Sequence, residues 1–148
     1  MKKVLKMLPY LLVGVLVIIQ FFRIDKSHPP IDPAKDFVAL EKPPQAIAKI
    51  MKTTCYDCHS YHTQYPWYSN IAPVSWWLSE HIEDAREEVN FSLWADYSAE
   101  DKAEHFDDMK DEIEEGGMPL KPYTWMHSAA RLTKEQRAKM VDWLKQKM

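Results

Sequence analysis

The stretch Cys55-Tyr56-Asp57-Cys58-His59 decides how this chain is read. It has the form C-x-x-C-H, the spacing at which two thiols bond covalently to the vinyl groups of a haem. Two intervening residues set the thiols one helical turn apart, and the adjacent His59 falls under the ring centre as proximal ligand. Its imidazole can give one nitrogen to iron and use the other N–H on a carbonyl, which fixes the tautomer. Two rival chemistries also use a Cys-x-x-Cys pair: a thioredoxin-type dithiol and half of a zinc site. The first calls for a strand in a βαβ pattern, and nothing here reads that way. The second calls for another ligand pair, and Cys55 and Cys58 are the only cysteines.

Upstream, Ile47, Ile50, Met51 and Thr54-Cys55 recur at helical spacing, so a helix opening near Pro44 runs straight into the motif. Downstream, Pro66 lies in a loop among Tyr65, Trp67 and Tyr68, aromatics placed to wall one side of a haem. Pro66 or Pro73 is positioned to offer His59 a carbonyl. A helix is predicted over 74–89, with Leu78, Ile82, Ala85 and Val89 on one face, and Asn90-Phe91-Ser92 breaks it. Ser98 and Asp101 form a capping-box start for another helix whose face is Ala103, Phe106, Lys110 and Ile113. Gly116-Gly117 stops it, where a left-handed residue is wanted. Thr133 to Gln136 caps a last helix carrying Ala138, Met140, Val141, Trp143 and Leu144. Every predicted element is helical, so the fold class is all-α.

A six-coordinate haem needs a second axial ligand, for which Met and His are the candidates. Met118 stands just past a helix stop, in Gly116-Gly117-Met118-Pro119, where glycine allows close approach and proline stiffens the loop. Met126 lacks that glycine approach, and Met51, Met109 and Met140 sit inside helical patterns. His62, His81, His105 and His127 remain candidates for a bis-His haem, and an open site is the third possibility. The choice decides the chemistry: a filled sphere suits electron transfer, whereas an open one admits O₂, NO, CO or peroxide. Arg86 and Arg131 are candidates to pair with haem propionates. No general acid, base or nucleophile constellation accompanies the motif.

The N-terminus carries Lys2, Lys3, Lys6 and Arg23 around a run, Met7 to Phe22, that is apolar apart from Gln20. A helix from Val4 of about 19 residues would reach roughly 28 Å, enough to span a bilayer with Lys6 snorkelling. A cleaved signal peptide has a similar start, but no small residue suited to cleavage follows until Ser27. The reading is therefore an uncleaved transmembrane anchor over 1–24 with its basic end cytoplasmic. A proline-rich tether over 25–43 and a haem-binding domain over 44–148 would follow, on the periplasmic side of a bacterial inner membrane. Net charge is −3, but beyond residue 23 there are 15 basic and 22 acidic residues, a balance of −7. Such a surface repels nucleic acid and suits docking to a basic patch on a redox partner protein.

The chain also resembles a known group, the small bacterial haem-binding domain proteins, which are cytochrome-c-like. The resemblance covers about residues 40–147 and rests on Cys55-Tyr-Asp-Cys-His-Ser60, Tyr65-Pro-Trp-Tyr-Ser69 and Ala72-Pro-Val-Ser-Trp76. It continues in Asn90-Phe-Ser92 with Trp94, Gly117-Met-Pro119, Tyr123, His127, Ala130 and Leu132. It departs at Leu120, where the group often has a second proline. The resemblance implies one covalent haem c on Cys55 and Cys58, with His59 proximal and Met118 distal. The expected protein is a membrane-anchored monohaem cytochrome passing single electrons between respiratory or periplasmic partners. The alternative is a haem-based gas sensor or peroxidase-like enzyme.

Overall fold

Phe37 has none of its surface exposed and sits at the centre of the domain core, although it lies in the stretch expected to be a tether. The computed structural model describes residues 2–148 and, among them, contains helices and no strand. Helix α1 spans Lys2–Ile18 and a 3-10 turn, Ile19–Phe21, follows it. A second 3-10 turn, Pro33–Lys35, and the short helix α2, Phe37–Glu41, fold the proline-rich stretch back against the domain. Asp36 caps α2 by accepting from the Val38 N–H at 2.9 Å. Residues 33–41 thus pack against the domain, while residues 25–32 of the stretch read as a tether form no helix.

Helix α3 is Gln45–Thr54, and it buries Ile47, Ile50, Met51 and Thr54, the face expected from the sequence. Cys55 ends it, and α4, Tyr56–His59, follows after a kink. Helix α5 is Val74–Glu88, with Ser75, Leu78, Ile82 and Ala85 buried. Asn90 then accepts from the Ser92 N–H at 3.0 Å and opens a 3-10 segment, Phe91–Asp96. Helix α6, Ala99–Glu115, begins in the capping box of Ser98 and Asp101. It ends at Gly116, whose φ of 85° is left-handed, with the Gly116 N–H on the Glu112 carbonyl. Helix α7, Lys121–Met126, was not expected, and α8, Lys134–Leu144, starts in the predicted Thr133–Gln136 capping box.

The core is aromatic. Phe37 packs edge-on to Trp94 at 4.6 Å and to Trp143 at 6.0 Å, with Phe91 and Phe106 alongside. Edge-to-face pairs of this kind add to the burial itself. Helix α8 packs chiefly on α6 and also touches α3. Glu41 ties the ends together: it accepts from the Trp94 indole N–H and from Lys147 Nζ, each at 2.8 Å.

The expected transmembrane helix needs correction. Helix α1 has 17 residues, about 25 Å of rise against a hydrocarbon core of about 30 Å. It passes into the 3-10 turn Ile19–Phe21, whose Gln20 side chain bonds the backbone of Ala72 at 3.0 Å in both directions. Among the described residues no helix is long and apolar enough to cross a membrane.

Candidate functional site

The C-x-x-C-H motif forms a single tight turn. Cys55 N–H donates to the Met51 carbonyl at 2.8 Å, ending α3, while Cys58 and His59 N–H groups both donate to the Cys55 carbonyl. Both cysteines are free thiols, and both line one cavity of about 620 Å³. That is the size range of small-molecule and cofactor sites. Burial pushes the Cys55 thiol up to about 12, with Cys58 adding to the effect. Burial likewise raises Cys58 to about 11, the neighbouring Asp57 adding to it and Arg86 opposing it.

His59 is partly buried, and that burial depresses its pKa against the opposing pull of the Val89 and Ala85 carbonyls. Its Nδ1 lies 2.9 Å from the Ala85 carbonyl and 3.3 Å from that of Val89. Carbonyls only accept, so Nδ1 carries the proton and Nε2 keeps its lone pair for a ligand. The orienting carbonyl therefore belongs to α5, where the sequence had pointed to Pro66 or Pro73. Phe91 packs against the other side of the ring, centroids 5.8 Å apart.

Met118 lies on the same cavity as Cys55, Cys58 and His59. Its N–H donates to the Glu112 carbonyl at 3.1 Å, which folds the loop back onto the end of α6. A Cβ on Gly117 would meet the Glu112 carboxylate, the mobile end of a flexible side chain, so the left-handed Gly116 is the glycine this turn requires. Arg137 of α8 donates to the carbonyls of Ile113 and Met118, fixing the loop from a third side. Nothing in the sequence around Arg137 marks that role, because its partner is backbone 19 residues away.

Of the competing ligands, His81 and His105 also face the cavity, whereas His62, His127 and Met126 do not. His127 instead accepts or donates at 2.8 Å with the Tyr68 hydroxyl and stacks on Tyr123 at 4.3 Å. Tyr123 lines the cavity and donates to Asp57 Oδ2 at 2.7 Å, tying α7 to the C-x-x-C-H turn. Burial, then the bond to Asp57, pushes the Tyr123 pKa far upward, so its hydroxyl keeps its proton. Tyr65, Trp67 and Tyr68, expected as a haem wall, stand outside the cavity, and Trp67 is 69% exposed.

Arg86 and Arg131 are not on the cavity wall either. Arg86 donates to the Ser60 carbonyl and the Thr63 hydroxyl, and Arg131 to the Thr124 carbonyl. The polar side of the cavity is acidic, with Asp84 and Glu88 from α5 and Asp108, Asp111 and Glu112 from α6. His105 Nε2 is buried without a hydrogen-bond partner among the described residues. A haem fits this donor set: two thiols and an oriented imidazole, the thioethers of Met118 and of Met51, Met109 and Met140 on the same cavity, and apolar side chains between.

Searches of curated proteins and of solved structures return no match. The family model described as "Haem-binding domain" matches residues 14–146, nearly the whole chain. The chain belongs to the haem-binding domain family.

Proposed function

We propose that the protein is a monohaem c-type cytochrome that carries single electrons. One haem is held through thioether bonds to Cys55 and Cys58, with His59 as proximal and Met118 as distal ligand. When bound, the haem would supply reversible one-electron chemistry. The protein's residues hold and orient it: Ala85 fixes the His59 tautomer, and Arg137 with Glu112 holds the Met118 loop. A Met ligand raises the potential relative to His and closes the iron to small molecules. The observation that carries this reading is the His59 Nδ1–H bond to Ala85, which leaves Nε2 unshared beside both thiols.

The domain works at a bacterial inner membrane, on the periplasmic side, and exchanges electrons with redox proteins there. Support for the membrane comes from α1, where Met7, Leu11, Leu12, Val13 and Val17 are all more than half exposed. A helix apolar on every side calls for a nonaqueous neighbour.

A second reading, a gas sensor or peroxidase-like enzyme with an open sixth position, is favoured by one feature. His105 Nε2 is a buried polar atom, its residue on the cavity wall, with no hydrogen-bond partner among the described residues, and it would suit a hydrogen bond to a small iron-bound ligand. Visible spectra of the protein matured with haem separate the two. A sharp reduced α-band with the weak ferric charge-transfer band of Met ligation supports electron transfer, and Met118→Ala should abolish that weak band. A high-spin spectrum with rapid CO binding by the reduced protein supports the sensor. Protein that takes up no haem refutes both.

A further inference from the structure

The end of α1 is fastened to the haem domain at four consecutive levels. Gln20 bonds the Ala72 backbone in both directions, and the Trp76 indole N–H donates to the Phe22 carbonyl at 2.9 Å. Arg23 donates to the Asn70 carbonyl, and Lys26 to the Ser69 hydroxyl and the Asn70 side chain. All four partners lie within residues 69–76. The surface around that junction is apolar and open: Trp67 is 69% exposed, Val74 46%, Ile71 44% and Trp76 39%. From Thr63 to Ser79 the sequence has no charged residue, in a chain that is 28% charged and acidic overall beyond α1. This uncharged stretch is joined to the end of the apolar helix by these bonds, with Arg23 and Lys26 as the cations at the junction.

We propose that Trp67, Ile71, Val74 and Trp76 form a seat for the lipid–water interface of the bilayer that receives α1. Tryptophan is the residue type that collects at this depth, its ring apolar and its dipole suited to the headgroup layer. The acidic faces of α5 and α6 could not take that place, because anionic lipid would repel them. The domain therefore lies on the membrane, held in one orientation, instead of swinging on a leash. That orientation is set by the bonds of Gln20, Phe22, Arg23 and Lys26. The inference rests on the proposed membrane seating of α1.

The test uses the full-length, haem-loaded protein in vesicles containing a phosphatidylcholine with a photoreactive diazirine high on its acyl chain. Irradiation and mass spectrometry then locate the lipid adducts by residue. The expected result is adducts on α1 and on residues 67–76, with none on the acidic face of α6. Adducts on α1 alone overturn the seat while leaving the membrane reading intact. Adducts on neither overturn both. Adducts spread equally over α6 also overturn the seat, since the domain would then have no fixed face toward the lipid.

Discussion

Arg137 in α8 donates to the Met118 carbonyl at 3.3 Å while it also holds the Ile113 carbonyl at the end of α6. One guanidinium thus fixes the helix terminus and the loop that presents the Met118 thioether. A charged hydrogen bond to backbone is worth about 1.5–3 kcal/mol, and Arg137→Ala is expected to lower stability by that order. In the haem-loaded protein it should also weaken the Met-type charge-transfer band and speed CO binding after reduction. A variant with unchanged denaturation midpoint and spectrum would show that the loop is held by other contacts.

Phe37→Ala should cost about 3–5 kcal/mol, the usual range for truncating a buried aromatic. The test is urea denaturation of the haem-loaded protein. A change below about 1 kcal/mol, small against that range, would mean that residues 33–41 fold independently of the core.

Gly116 has a φ of 85°, and nothing lies within 4 Å of the position a Cβ would take. Gly116→Ala is therefore a test of backbone strain alone, expected at about 1–2 kcal/mol. Thermal unfolding beside the parent protein measures it.

Glu41 supplies the pH dependence. Burial would raise its pKa, but the bonds from Lys147 and Trp94 outweigh that and hold it below its ordinary 4.5. A carboxyl depressed on folding contributes stability that is present above its unfolded pKa and lost as pH falls through the folded one. The parent protein should therefore lose stability as pH drops below about 4.5, and Glu41→Gln should lose less over the same interval. Urea midpoints at neutral and acid pH decide this, and parallel losses in both proteins would sink it.

Cys55→Ala combined with Cys58→Ala removes both expected thioether bonds. Haem should then leave the protein on acid–acetone extraction, whereas the parent should retain it. Retention by the double variant would refute covalent attachment through these residues.

Much of this was legible in residue order, because the decisive signals are local. The capping boxes at Ser98 and Thr133, the left-handed stop at Gly116 and the buried face Ile47-Ile50-Met51-Thr54 each depend on neighbours within a turn or two. The proximity of Cys55, Cys58 and His59 to one another is local for the same reason. What escaped depends on distant partners. Phe37 reads as a lone aromatic among prolines, and only Trp94 and Trp143 make it a core residue. Ala103 and Ala138 fit the helical stripes but stay exposed, because small apolar residues carry little orienting force. Backbone acceptors have no sequence signature at all, which is why Ala85 and the partners of Arg137 were invisible.

The Ala85 carbonyl accepts from two donors, the Val89 N–H at 3.1 Å that closes the last turn of α5, and His59 Nδ1. Melting of that turn would free the imidazole to rotate, and rotation of the imidazole would remove a restraint on the turn. Were His59 to hold a haem, its release and the fraying of α5 would be coupled through that one carbonyl. The colour of the bound haem would report the integrity of a helix end that absorbs no visible light.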